Sequence, residues 1–94
     1  MVELRNDCRY KLNLPIKYKL SDEQQTVTKE GITQDMGESG ICFYADTLLK
    51  EGQALQVNIP SIFNWPKDST VRWCSHHQNG FYKVGISLST YSQK

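Results

Sequence analysis

Apolar and polar residues alternate strictly near the start of the chain, and this pattern constrains the fold more than any other. Leu14, Ile16, Tyr18 and Leu20 occupy every second position, with two lysines between them. Successive side chains of a β-strand point to opposite faces of its sheet. The segment therefore predicts a strand that buries one face and exposes the other.

Short apolar or β-branched runs separated by turn residues follow at regular intervals. They predict five further strands, over residues 26–33, 41–45, 55–59, 70–75 and 81–89. Pro60 ends one of these strands, and Asn79-Gly80 is a strong reverse-turn signal. Six short strands without a convincing long helix predict an all-β barrel or sandwich.

A small barrel needs bulky side chains to fill its interior. We therefore expect most of the aromatic residues from Phe43 onward to lie in the core, or in a loop over residues 61–69 that folds inward as a plug. These residues are Phe43, Phe63, Trp65, Trp73, Phe81 and Tyr82, with Ile62 also in the plug; some of the aromatic residues are expected to border a bound ligand instead.

Two groups of residues indicate a binding site for an anion. Arg5 and Arg9, four positions apart, offer planar forks of N–H donors that suit phosphate oxygens. Asp35, Gly37 and Gly40 form a turn in which a carboxylate lies beside backbone that a ligand can approach closely. A guanidinium pair combined with such a turn suits an anionic nucleotide.

Positive charge is concentrated at the N-terminal end. Residues 1–20 carry five Lys and Arg against two Asp and Glu, a net +3, whereas the remainder carry six against eight, a net −2. A general nucleic-acid binder spreads positive charge over a broad face. The local excess favours a ligand with few phosphates, unless folding brings Lys29, Lys50, Arg72 or Lys83 alongside.

In order and spacing, the two groups resemble the signatures of a PilZ domain, the bacterial receptor module for cyclic di-GMP. The RxxxR signature is intact from Arg5 to Arg9. The [D/N]xSxxG signature matches at Asp35 and Gly40, but Gly37 stands at the serine position. The resemblance continues through Val71-Arg72-Trp73 and the run from Phe81 to Ile86, and so covers nearly the whole chain.

This resemblance implies a six-stranded antiparallel barrel over residues 13–90, preceded by an arm over residues 1–12, in a single domain. Many members of the family carry a helix after the last strand, but this chain departs from that pattern: it ends soon after the last strand, so we expect little or no C-terminal helix. The resemblance also implies that Arg5, Arg9, Asp35, Gly37 and Gly40 bind cyclic di-GMP. The arginines would bind phosphates and guanine, Asp35 would select guanine, and the glycines would allow positive φ and leave backbone N–H groups available.

Other functional classes find little support in the sequence. Cys74, His76 and His77 lack the spaced ligand pairs of structural zinc sites, and the two histidines are expected in an exposed turn. No local motif indicates nucleophilic catalysis, so we expect neither an enzyme nor a cofactor. Three scattered cysteines and no signal-peptide or membrane-spanning run predict a soluble cytoplasmic protein.

Two alternatives to a cyclic di-GMP receptor remain open. A PilZ-like adaptor for type IV pili or motility would bind protein without the messenger; Gly37 and the short C-terminus favour it, and the arginine pair favours the receptor. An oligonucleotide-binding barrel is the third alternative. The receptor hypothesis implies a still unidentified protein partner, outputs such as motility or biofilm formation, and no binding to nucleic acid or insertion into membrane.

Overall fold

A computed structural model describes residues 10–21, 25–63 and 65–88, and these ranges form β-strands joined by turns, without a helix. The strands are β1 (Tyr10–Lys11), β2 (Pro15–Ser21), β3 (Thr26–Met36), β4 (Gly40–Ala45), β5 (Ala54–Asn58), β6 (Lys67–His76) and β7 (Tyr82–Leu88). Residues 89–94, where at most a single helical turn is expected, lie outside the described ranges.

The strands close into an antiparallel barrel. Six of them follow the order β3-β2-β5-β6-β7-β4, and β4 pairs with β3 to complete the ring. β1 lies against the same strand as β2, and hydrogen bonds from Leu12 N to Gln34 O and from Thr33 N to Leu14 O, both 2.9 Å, continue the ladder between them. The predicted six-stranded all-β barrel is confirmed, with β1 as an extra strand.

Strand boundaries differ from those predicted at two places. β6 begins at Lys67, within the region where a loop was expected. Pro66 does not prevent this, because it lies just before the strand, where its missing N–H removes no hydrogen bond from the ladder. β3 continues to Met36, beyond the predicted end at residue 33, through an irregularity that breaks the alternation of side chains. Both segments are rich in polar residues, so the alternation of apolar and polar residues did not identify them as parts of strands.

The core is formed by one inward-facing set of side chains. Tyr18 and Phe43, both fully buried, pack with ring centroids 5.2 Å apart near its centre. The remaining buried apolar residues of this cluster are Ile16, Ile41, Ala45, Leu49, Leu55, Val57, Ile59, Phe63, Val71, Val84 and Ile86. The alternation predicted for residues 14–20 is confirmed, since Ile16 and Tyr18 are buried and Leu14 and Leu20 pack partly buried against them.

Tyr18 carries its polar end to the barrel surface. Its hydroxyl donates to Asp46 Oδ1 at 3.2 Å, and Thr47 Oγ1 donates to the same oxygen at 3.1 Å. Burial raises the pKa of the Tyr18 hydroxyl, and the Thr47 hydrogen bond is the largest of the contributions that lower the pKa of the Asp46 carboxyl. These contacts attach the chain after β4 to the core.

The expected aromatic core is only partly correct. Phe43 and Phe63 are buried and Tyr82 packs partly buried against the core, but Trp65 is 59% exposed and Phe81 and Trp73 are also exposed. Ile62 is likewise exposed, so of the predicted plug only Phe63 points inward. Lys67 Nζ lies 5.2 Å from the Phe63 ring centroid and 5.5 Å from that of Trp65, which stabilises an exposed indole without burial.

Two bulges change which face of the sheet later residues occupy. Thr33 pairs with Phe43 but Asp35 with Cys42, so Gln34 is an extra residue in β3. In the same way, Arg72 is an extra residue in β6, since Val71 pairs with Ile86 and Trp73 with Gly85. Because side chains alternate with a period of two, each extra residue reverses the alternation that follows it.

The turn between β6 and β7 is confirmed at the predicted dipeptide. Asn79 and Gly80 have φ values of 56° and 82°, and Phe81 N donates to Gln78 O at 3.0 Å. Positive φ at both central residues is the requirement of a type I′ turn, which asparagine and glycine meet. His76 and His77 at this end of the hairpin are exposed, as expected.

Candidate functional site

Four residues on neighbouring strands form a continuous line across the outside of the barrel, which we call the outer row. Asp35 of β3 pairs with Cys42 of β4, Cys42 pairs with Gly85 of β7, and Gly85 pairs with Trp73 of β6. The flanking residues on β4 and β7 belong to the core, so the outer row faces away from it. A carboxylate therefore lies at one end of the outer row and an indole at the other.

The indole of Trp73 lies directly over Gly85. A Cβ added at Gly85 would stand 2.3 Å from Cε2, 2.4 Å from Nε1 and 2.7 Å from Cζ2 of Trp73. Only a residue without a side chain permits this contact. Trp73 is nevertheless 44% exposed, so the glycine supports the ring without removing it from solvent.

The glycine-rich turn between β3 and β4 is closed by its own backbone. Gly37 N donates to Gly40 O at 2.9 Å, and Leu88 N donates to Ser39 O at 3.1 Å, which attaches the turn to the end of β7. The N–H of Gly37 is therefore used within the turn, contrary to the expectation that it is available to a ligand.

Gly40 is required by close packing of two strands. A Cβ at this position would lie 2.3 Å from the carbonyl oxygen of Ile86 on β7. The expected positive φ is not found: among described glycines it occurs at Gly52 and Gly80. The structure thus gives Gly40 a packing role, and its predicted contact with ligand stays a prediction.

β1 brings the chain into the fold beside the carboxylate end of the outer row. Lys11 pairs with Asp35 and Tyr10 with Met36. Arg5 and Arg9 lie outside the described residues. The described strand that follows the first signature in sequence, β1, thus pairs next to the second signature.

A surface pocket of about 550 Å³ covers the outer row. Asp35 and Gly40 line it, together with two cations that the signatures do not include, Arg72 and Lys83. Its size lies within the range of about 300–1,000 Å³ usual for sites that bind small molecules. Two positive groups and one carboxylate can bind a ligand that carries both phosphates and a hydrogen-bond donor edge.

The structure brings Asp35, Gly37 and Gly40 together, as their sequence proximity requires, and adds Trp73 to Asp35 and Gly40 in the pocket. Trp73 was expected mainly in the core. The irregularity at Arg72 places it outside, and a one-residue bulge leaves no clear trace in a sequence. A signal was nevertheless present, because Trp73 and Gly85 fall in the two runs that resemble the last strands of the PilZ family.

No cluster of three or more potential metal ligands occurs within residues 10–21, 25–63 and 65–88. Cys74, His76 and His77 therefore do not form such a cluster with other described residues. In the same part of the chain, no helix has the length and apolar character needed to cross a membrane.

The closed ring of six strands and its outward pocket define a small antiparallel barrel domain with a surface site. The sequence model of the PilZ domain matches residues 3–93, and the chain belongs to the PilZ domain family. Domains of this family are binding domains rather than catalytic ones. No curated protein matches the chain.

Two solved structures share this fold. The Bacillus subtilis inhibitor of motility MotI (DgrA) is 12% identical with a TM-score of 0.69, and the match covers 97% of this chain and 45% of that one. The PilZ domain of Escherichia coli YcgR, solved with c-di-GMP, is 16% identical with a TM-score of 0.67, covering 96% and 81%. The chain thus spans less than half the length of MotI, and both identities are low enough that the likeness concerns the fold.

Proposed function

We propose that this domain is a receptor for cyclic di-GMP. The observation that carries the proposal is the outer row: a carboxylate and an exposed indole flank a floor of small residues, in a pocket that Arg72 and Lys83 also line. Membership of the PilZ domain family and the cyclic di-GMP in the YcgR structure support the choice of ligand.

Asp35 has the chemistry to select the base. A carboxylate accepts two hydrogen bonds from the N1–H and exocyclic amine of guanine, whereas adenine does not present this pair of donors. In the row, the Cys42 and Gly85 positions beside it carry short side chains or none, which leaves room for a flat ring. Guanine rather than adenine dinucleotides should therefore bind.

Positive charge from two parts of the chain would neutralise the phosphates. Arg72 and Lys83 line the pocket from β6 and β7. Arg9 immediately precedes Tyr10, which pairs beside Asp35, so an arm that closes over the pocket brings guanidinium groups to the ligand from the opposite side. Bidentate hydrogen bonds from arginine to phosphate would hold that closed state.

Closure of the arm would change the surface that a partner protein recognises. Its conformational entropy opposes binding and its contacts with ligand favour it, so the messenger concentration sets the fraction of closed molecules. MotI, which shares the fold, is an inhibitor of motility. We accordingly propose that the closed domain acts on a protein partner in a pathway such as motility.

Isothermal titration of the purified domain with cyclic di-GMP tests the proposal. The controls are GTP, cyclic di-AMP and a short single-stranded oligonucleotide. We expect saturable heat with cyclic di-GMP alone. Strong, salt-sensitive binding of the oligonucleotide would instead favour a nucleic-acid-binding barrel.

Absence of heat with every ligand would favour a protein-binding adaptor that has lost the messenger. The observation in favour of this second candidate is Gly37, which supplies no hydroxyl where the family signature has serine.

Restoring the hydroxyl provides a further prediction. Gly37 is buried and has no positive φ, so serine can adopt its backbone conformation. One added hydrogen bond is worth about 1 kcal/mol, so we expect Gly37→Ser to tighten cyclic di-GMP binding about fivefold by calorimetry. Gly37→Ala is the matched control, since it adds the Cβ without the hydroxyl. Equal weakening by both variants would show that the added carbon decides the affinity.

A further inference from the structure

We infer that the barrel carries a second binding surface, a groove that docks an acidic segment of a partner protein. The groove has a volume of about 140 Å³, and its lining includes Lys17, Lys19, Thr28, Gln56, Asn58 and Pro66. We call it the basic groove. None of these residues lines the pocket over the outer row. In naming a protein as the occupant, the inference rests on the proposed function, which requires such a partner.

Strand alternation and register place the two lysines on the outside of the barrel. Tyr18, which separates them in sequence, is buried in the core, so Lys17 and Lys19 point outward. In the ladder between β2 and β5, Lys17 lies opposite Asn58 and Lys19 lies opposite Gln56. The basic groove therefore follows the outer surface of these two strands.

Both lysines lack a counter-ion within residues 10–21, 25–63 and 65–88. Lys29 shows the contrast, because its Nζ lies 3.7 Å from Asp46 Oδ1. Glu30 stands opposite Lys17 in the ladder between β2 and β3, yet these two residues form no ion pair. The charges of Lys17 and Lys19 are thus available to an anionic group that enters the groove.

An amide group beside the lysines adds hydrogen-bond donors. Asn58 is half-buried, and its Oδ1 is buried without a hydrogen-bond partner in the described part of the chain. Its amide nitrogen is neither buried in this way nor hydrogen-bonded to a described residue, so the nitrogen is the accessible end of the side chain. No carboxylate is among the described residues that line the groove. Ammonium groups and an amide N–H without a lining carboxylate favour an anion.

The surroundings of the groove favour carboxylates of a protein over the phosphates of a nucleic acid. Glu30 on β3 and Asp68, which accepts a hydrogen bond from Gln56 Nε2 at 3.1 Å on the β6 side, limit the positive strip to about one strand. A nucleic-acid binder needs a broader basic face, and a single-strand binder also stacks bases on aromatic rings. No aromatic side chain is among the described lining residues.

The spacing of the lysines suits an extended acidic segment. Two positions along a strand correspond to about 6.6 Å, which separates Lys17 from Lys19. An extended polypeptide repeats the side chains of one face at the same interval. Two acidic residues at alternate positions of a partner segment can therefore each meet one lysine of the groove.

The basic groove lies on the side of the barrel away from the messenger pocket. Around the ring the strands follow the order β3-β2-β5-β6-β7-β4, so β2 and β5 stand opposite β7 and β4. β7 and β4 carry Gly85 and Cys42, the middle of the outer row. A partner docked in the groove thus leaves the pocket open to cyclic di-GMP.

Titration of the ¹⁵N-labelled domain with hexaglutamate, followed by the amide chemical shifts in NMR spectra, tests the inference. At about 50 mM salt we expect saturable shifts in β2 and β5, centred on Lys17, Lys19 and Asn58. Binding should weaken as the salt is raised to about 200 mM, because salt screens exposed charges. Hexalysine is the matched peptide and should give no saturable shifts at these residues.

Lys17→Gln and Lys19→Gln should each weaken hexaglutamate binding about two- to fivefold, the range expected for loss of one exposed ion pair. Glutamine keeps a long polar side chain and removes only the charge. Lys50→Gln is the matched control, since Lys50 is exposed and lines neither the basic groove nor the pocket. It should leave the affinity unchanged, and thermal unfolding verifies the fold of each variant.

Three results would overturn the groove as a docking surface. They are absence of saturable hexaglutamate shifts, shifts confined to the neighbourhood of Arg72 and Lys83, and equal weakening by Lys50→Gln and the two groove variants. Larger shifts at the groove with a short single-stranded oligonucleotide than with hexaglutamate would overturn the choice of a protein as the occupant.

The outcomes for the groove and for the proposed receptor are distinct. The double variant Lys17→Gln, Lys19→Gln should bind cyclic di-GMP with unchanged affinity in calorimetry, and Asp35→Ala should still bind hexaglutamate. Loss of hexaglutamate binding alone would leave the receptor in place. Absence of cyclic di-GMP binding by the unsubstituted domain, with hexaglutamate binding intact, would overturn the receptor and support the protein-binding adaptor.

Discussion

Asp35→Ala should weaken cyclic di-GMP binding by at least 100-fold while the barrel stays folded. Asp35 lies at the end of the outer row and lines the pocket. Substitution removes a charged acceptor for two guanine donors, and hydrogen bonds to charged groups contribute about 1.5–3 kcal/mol each. Isothermal titration gives the affinity, and thermal unfolding shows that the fold is retained.

Asp68→Ala is the matched control for this substitution. Asp68 is an exposed aspartate on a strand, hydrogen-bonded to Gln56 Nε2 at 3.1 Å, and it does not line the pocket. It removes the same charge from the molecule, so it separates the local contact from a change in net charge. If Asp35→Ala binds within threefold of the unsubstituted domain, Asp35 does not select the base.

Gly40→Ala should lower the free energy of unfolding by about 2–3 kcal/mol, because the new Cβ meets the carbonyl oxygen of Ile86 at 2.3 Å and both atoms belong to paired strands. The strands must separate locally to relieve the contact, which weakens their ladder. For a domain of this size the loss corresponds to a fall in melting temperature of roughly 10–20 °C. Chemical denaturation and calorimetric melting measure both quantities.

Gly85→Ala is the comparison for stability, since its Cβ would also stand 2.3 Å from the nearest atom, but that atom belongs to the exposed Trp73 side chain. A side chain at the surface can rotate away, whereas a backbone carbonyl in a ladder cannot. The melting temperature should therefore change little in Gly85→Ala. Equal destabilisation by the two variants would show that the indole is as firmly fixed as the sheet.

The barrel could be predicted from the sequence because apolar and polar residues alternate along its strands, and this alternation matches the buried and exposed positions. Ile16 and Tyr18 are buried with lysines between them, and the Asn79-Gly80 turn adopts the φ values that the dipeptide favours. β1 could not be predicted, because two exposed residues, Tyr10 and Lys11, carry no burial pattern. Their strand conformation comes from pairing with residues 35 and 36, a contact between distant parts of the chain.

Only part of the candidate site could be predicted from the sequence, for a related reason. Asp35 and Gly40 belong to a contiguous signature, whereas Trp73, Gly85 and Arg72 join them through strand register. A tryptophan in a predicted strand is more often a core residue, and the expectation for Trp73 followed that preference. Register across β4, β7 and β6 depends on the whole closed sheet, which local pattern does not specify.

Each end of the outer row is set by one residue that has no partner across the ladder, Gln34 in β3 and Arg72 in β6. Successive residues of a strand face alternately inward and outward, so one additional residue interchanges the inward and outward positions that follow it. Val71 before the extra residue and Cys74 after it both contact the core. In a regular strand, two residues three positions apart would lie on opposite faces. If Arg72 instead took a regular ladder position opposite Gly85, Trp73 would fall opposite Val84 and face the interior. In a barrel of this kind, a surface site can therefore be gained or lost when a single bulge forms or disappears, with every chemical group that forms the site still present in the chain.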